Sequence, residues 1–182
     1  MSIGMKRGTV YLEEHQPEWE IDAEETIRAI KNILGDSAVD VQHIGSTSIK
    51  TIPAKPIIDI AVAVKDYDAV LQKRELLKEG QIIFRFDERP EQLLFVKGDF
   101  EQDTRTHHIH VVLNDSKEWN DYIRFRDYLN THEDAADQYA ALKRELAEKY
   151  PNDRNAYTDG KAELISELLS EGSNGLERAG EI

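Results

Sequence analysis

No cysteine occurs among the 182 residues, which excludes a disulfide framework, a thiolate metal site and a cysteine nucleophile. No apolar run approaches the roughly 20 residues of a membrane span. The opening MSIGMKRGTV carries no hydrophobic signal core, so a cytoplasmic location is expected. Positive charge is short as well: 23 Lys and Arg stand against 36 Asp and Glu, for a net charge of −13. A surface this acidic argues against a partner such as nucleic acid or an anionic membrane, because phosphate contacts want a basic face. It leaves room for a local basic pocket that takes one small anion.

What is present is an ordinary globular composition, 40% hydrophobic and 32% charged. Residues 17–34 repeat apolar positions at helical intervals up to Gly35. A short strand through Val39, Val41 and His43 then runs into Gly45-Ser46-Thr47-Ser48, whose small polar residues suit a turn that opens a helix. The run IIDIAVAV, Ile57 to Val64, is the strongest strand; period 2 puts Ile58, Ile60, Val62 and Val64 on one face and Asp59, Ala61 and Ala63 on the other. A helix over 66–79 follows, then strands around Gln81–Phe86 and Gln92–Val96, a loop over 98–105, and a strand THHIHVVL. From Ser116 the pattern is helical only, with helices starting at Ser116, at Thr131 as N-cap of 131–149, and at Arg154 for 154–170. The expected fold is α+β: an α/β core over 1–115 with a mixed sheet, and a helical part over 116–170 packed on it in one unit. The glycine-bearing stretch 171–182 has little to bury and is expected to be a disordered tail.

Three places carry chemistry. Gly45-Ser46 lets a phosphate approach the backbone, and a helix start would add free N–H groups and a favourable dipole; alone, the pair equally describes a plain turn. Asp59 sits in an otherwise apolar strand, so its charge requires a cation, a metal or several donors, and Lys55 is the ordinary candidate. Thr106, His108 and His110 share one strand face, where two imidazoles converge on a metal or a phosphate, or simply line a wet sheet edge. Arg124, Arg126, Lys143 and Lys161 lie near Phe125, Tyr139 and Tyr157, which suits clamping phosphates beside a stacked base, or a solvated helix face.

In order, HIGSTSIKTIPAKPIIDIAVAV resembles the signature of the nucleotidyltransferase superfamily, in which Gly-Ser holds a triphosphate and Asp-x-Asp or Asp-x-Glu on the next strand holds Mg²⁺. With Glu13-Glu14-His15-Gln16-Pro17-Glu18-Trp19, RTHHIHV, FRDYL, YAALKRELA, Tyr157 and Lys161-Ala162, the chain from about 9 to 170 is similar to the GrpB family. The resemblance implies a nucleotidyltransferase-like mixed sheet with flanking helices and a C-terminal helical segment. A related domain fused to dephospho-CoA kinase adds coenzyme A to the ligands to consider. One position departs: the second carboxylate is Ala61, and holding two ions about 4 Å apart needs anions for both.

The function so implied is binding of a nucleoside triphosphate with a divalent metal, and transfer of a nucleotidyl group to a small-molecule acceptor. Asp59, His108 and His110 are the expected catalytic residues, and Asp59, His108, His110 and His43 the expected metal ligands. Gly45, Ser46, Thr47, Lys55, Arg105, Arg126, Lys143 and Lys161 are expected at the phosphates. Mg²⁺ or Mn²⁺ suits a transferase, while the histidines suit Zn²⁺, Ni²⁺ or Fe²⁺, since imidazole is a poor magnesium ligand. The alternatives are a non-catalytic module for a nucleotide or coenzyme A, and a metal-dependent hydrolase. Nucleic acid and membrane are not expected partners, and the oligomeric state is left open.

Overall fold

Strand β3 (Ile58–Val64) runs through the middle of the molecule. In the computed structural model, which describes residues 3–85 and 91–179 with side chains as far as Gly172, its four bulky residues are fully buried. They face helix α1 (Glu18–Leu34), against Trp19, Ala23, Ile30 and Leu34. Each such aliphatic side chain contributes about 1.5–3 kcal/mol on burial. Around β3 the sheet is ordered β2 (Ala38–Ile44), β3, β7 (His107–Leu113), β5 (Gln92–Lys97), β4 (Ile83–Arg85). β3 and β7 are parallel and the other neighbours antiparallel, so the sheet is mixed, as expected. A separate ribbon joins β1 (Met5–Lys6) to β6 (Thr104–Arg105).

The other face of the sheet, with Asp59 and the two alanines, lies under α4 (Lys117–Thr131). Ser116 caps α4 as expected, its hydroxyl accepting from the Trp119 N–H at 3.2 Å. α4 packs with α5 (Glu133–Lys149) and α7 (Ala162–Ala179) around a second core of Leu129, Ala136, Tyr139, Ala140, Leu164 and Leu168, which Ile49 and Ile52 enter from the loop after β2.

Several boundaries differ from expectation. The helix over 66–79 is two short ones, α2 (Tyr67–Leu71) and α3 (Arg74–Glu79). Strand β4 starts two residues later than its pattern, and Phe86 lies outside the described residues. Thr131 does not cap α5; its hydroxyl donates back to the Asp127 and Tyr128 carbonyls and so closes α4. The helix over 154–170 divides into α6 (Arg154–Asp159) and α7 at Gly160, where a Cβ would come within 2.6 Å of Leu146. Helix α7 extends to Ala179, and 180–182 of the stretch expected to be a disordered tail lie outside the described residues.

Candidate functional site

Register brings the polar residues together. Across the parallel pair, Asp59 stands beside His108 and Ala61 beside His110, so all four project from one face. Asp59 Oδ1 lies 3.2 Å from His108 Nδ1 and 3.6 Å from His110 Nε2. His108 Nε2 is in turn 3.2 Å from Arg154 Nη2, on α6. Arginine can only donate, so Nε2 accepts and the His108 proton sits on Nδ1, pointing at Asp59. The result is a directed chain, Arg154 to His108 to Asp59. Burial pushes the Asp59 carboxyl upward, but the hydrogen bonds and charges of His108 and His110 more than reverse this and hold it well below the usual carboxylate range. Burial lowers His108, against the pull of Asp59. His110 Nδ1 is buried with no hydrogen-bond partner among the described residues.

Gly45 closes over this group. Its φ of 70° favours glycine, and a Cβ there would lie 2.6 Å from Asp59 Oδ2. Ser46 follows and reaches the Tyr139 hydroxyl. The helix expected after Gly-Ser is a single 3₁₀ turn, Ser46–Ser48, so Gly45-Ser46 does not open an α-helix.

Asp59 opens, with 30% of its side chain exposed, onto a cleft of about 380 Å³ between the sheet and the helical half. Three cations line it: Lys55 from the loop before β3, Arg154 from α6, and Lys161 from the α6–α7 junction. Lys55 and Lys161 lie 5.1 and 4.4 Å from the centre of the Tyr157 ring. Neither ammonium forms a hydrogen bond or ion pair with a described residue. Burial, with Lys161 and Arg154 adding repulsion, brings Lys55 down to about 7. Lys161 falls to about 8 through burial, although Asp59 opposes the shift. Tyr122, Phe125, Tyr139 and Tyr157 supply aromatic walls.

The expected residues divide accordingly. Gly45, Ser46, Lys55, Asp59, His108, His110 and Lys161 line the cleft. Five others do not. His43 pairs with Ile60 across β2 and β3, which puts it on the α1 face, where it bonds Thr47 at 2.9 Å. Thr47 is thereby turned away too. Arg105 pairs with Asp103 and lies over Phe100, while Arg126 bonds Gln42 and the His43 carbonyl. Lys143 sits one layer back, fully buried, donating to the Pro53 carbonyl and lying over Tyr139. The sequence reading missed Arg154, Asp121 and Tyr122. Arg154 did leave a trace: a cation in the first turn of a helix opposes its dipole, which asks for another reason to be there.

The donor set does not fit a pair of metal ions held by the protein. Ala61 is fully buried where a second carboxylate would stand, His43 is on the wrong face, and His108 has both nitrogens engaged. Among the described residues no three His, Asp or Glu side chains are arranged to hold a metal ion. Among them also, no helix is long and apolar enough to cross a membrane.

Comparison with known proteins agrees with this geometry at the level of fold. The family profile described as GrpB protein matches residues 9–171. The chain belongs to the GrpB family. It is 38% identical over 174 residues to the glutamate-rich protein GrpB of Alkalihalophilus pseudofirmus, covering 93% of this chain and 99% of that one. The UPF0157 protein YqkA of Bacillus subtilis is 34% identical over 83% of this chain, which spans 43% of YqkA's length. The crystal structure of the conserved protein GrpB from Enterococcus faecalis superposes with a TM-score of 0.83 at 29% identity, covering 91% of this chain and 99% of that one. The Cid1 poly(U) polymerase with Mg 3′-dATP bound superposes with a TM-score of 0.53 at 14% identity, over 82% of this GrpB-family chain and 49% of Cid1. The fold is thus of the nucleotidyltransferase kind.

Proposed function

We propose that this GrpB-family protein binds a nucleoside triphosphate in the cleft, with the phosphates against Lys55, Arg154 and Lys161 and the base among the tyrosines. One observation carries the reading: in a chain of net charge −13, three side-chain cations converge on one cleft, and two of them have no anionic partner among the described residues. Buried cations without a counter-charge are costly, and a polyphosphate supplies it. The fold shared with Cid1, whose structure holds Mg 3′-dATP, supports a nucleotide as that anion.

Asp59 favours transfer over mere binding, because it is a carboxylate kept ionised at the strand position where the superfamily resemblance puts a catalytic one. An acceptor hydroxyl or amine attacks the α-phosphorus, its proton passes to the Asp59 carboxylate that His108 holds in place, and pyrophosphate leaves onto the cations. The expected divalent metal would meet Asp59, since the other described carboxylate lining the cleft, Asp121, pairs with Lys117 and Arg124.

The test is thermal stability of EDTA-treated protein against ATP, CTP, GTP, UTP and coenzyme A, alone and with Mg²⁺, Mn²⁺ or Zn²⁺. A bound triphosphate at 100 times its Kd adds about 2.7 kcal/mol and raises Tm. A shift with coenzyme A alone replaces the nucleotide with that ligand, and no shift with any pairing overturns the reading. Pyrophosphate release that vanishes in Asp59→Asn supports transfer; inorganic phosphate without an acceptor identifies a hydrolase instead.

A further inference from the structure

The cleft distributes charge differently from what its fold signature asks. A two-metal arrangement brings positive charge in as ions and spends carboxylates to hold them. Here the second carboxylate is the methyl group of Ala61, beside His110 on the neighbouring strand. Of the two described carboxylates lining the cleft, Asp59 is engaged through Oδ1 by His108 and Asp121 pairs with Lys117 and Arg124.

Positive charge instead comes from the chain, through three elements that are each fixed. Lys55 follows Ala54, which exchanges two backbone hydrogen bonds of 2.8 Å with Glu13. Arg154 begins α6, whose cap Asp153 accepts from the Ala156 N–H at 3.0 Å, and its guanidinium is tied to His108. Lys161 directly follows the tight Gly160 junction. Three like charges held this close repel one another, and no described carboxylate pairs with either lysine. Such an arrangement is stable in company with an anion of matching charge.

Resting on the phosphate-binding reading above, we infer that Lys55, Arg154 and Lys161 grip the phosphates by themselves, without a divalent metal ion held by the protein. The side chains take the place that metal ions hold elsewhere in this fold. Mg²⁺ then competes with the lysines for the same phosphate oxygens.

The experiment is calorimetric titration of the full chain with inorganic tripolyphosphate, and with the four nucleoside triphosphates, in EDTA and in excess Mg²⁺. Tripolyphosphate in EDTA is expected to bind at least as tightly as in Mg²⁺, to within about threefold. The double variant Lys55→Met/Lys161→Met is expected to raise that Kd at least about tenfold, while Lys65→Met, at an exposed lysine outside the cleft lining, stays near wild type. The methionine variant also unfolds no earlier than wild type, since it removes two buried ammonium groups that lack partners. Binding of any of these anions only with Mg²⁺ overturns the inference and leaves the nucleotide reading intact. Tripolyphosphate bound in EDTA with no nucleotide bound does the reverse, and no binding under any condition overturns both.

Discussion

At the scale of single residues, the site depends on how closely Gly45 approaches Asp59. The carboxylate is set by two imidazoles on the neighbouring strand, and its second oxygen faces the Gly45 backbone with no room for a methyl group. Gly45→Ala therefore combines a left-handed backbone with a clash. We expect unfolding free energy to drop by about 1–3 kcal/mol in a urea titration. Triphosphate binding should fall further than that loss alone explains, because Asp59 must move. A variant as stable as wild type, with an unchanged Kd, would show that the loop is free to open.

At the scale of elements, α6 is six residues long yet delivers Arg154 to the sheet. Its start is fixed by Asp153, whose carboxylate accepts from the Ala156 N–H. Asp153→Ala should lower stability by about 1 kcal/mol, the ordinary value of such a cap. It should also weaken tripolyphosphate binding by loosening the guanidinium; equal binding in both proteins would detach α6 from the site.

Elements also show what the sequence could and could not reveal. Parity within a strand is local, so the shared face of Asp59 and Ala61, and that of His108 and His110, was readable directly. Pairing between strands is not local. The antiparallel register that sets His43 opposite Ile60, and so removes it from the Asp59 face, comes from packing. The division of one helical pattern into α6 and α7 likewise reflects Leu146 pressing on Gly160 from another helix, which no periodicity records. Arg105, Arg126 and Lys143 looked equivalent to Lys55 and Lys161 in sequence, and only the fold separates those with local partners from those without.

For the whole molecule, buried titratable groups make stability depend on pH in two windows. On the α1 side of the sheet, burial lowers His43 and His107 to about 4. The unfolded chain binds protons there between about pH 6.5 and 4 while the folded one does not, so stability falls as pH drops through that range. In the cleft, Lys55 at about 7 and Lys161 at about 8 lose protons well before their unfolded value of 10.5. The folded state again holds fewer protons than the unfolded, so ligand-free stability should climb from about pH 7 toward pH 10. The double variant Lys55→Met/Lys161→Met should flatten that rise in denaturant titrations across the range, and an unflattened rise would assign it to other groups. A bound polyphosphate restores the lysine protons, because a nearby anion favours the charged form. Titration at pH 8 in two buffers of different ionisation enthalpy should then report proton uptake on binding, and affinity should weaken above that pH. Proton release, or none, would mean that the phosphates lie away from both lysines.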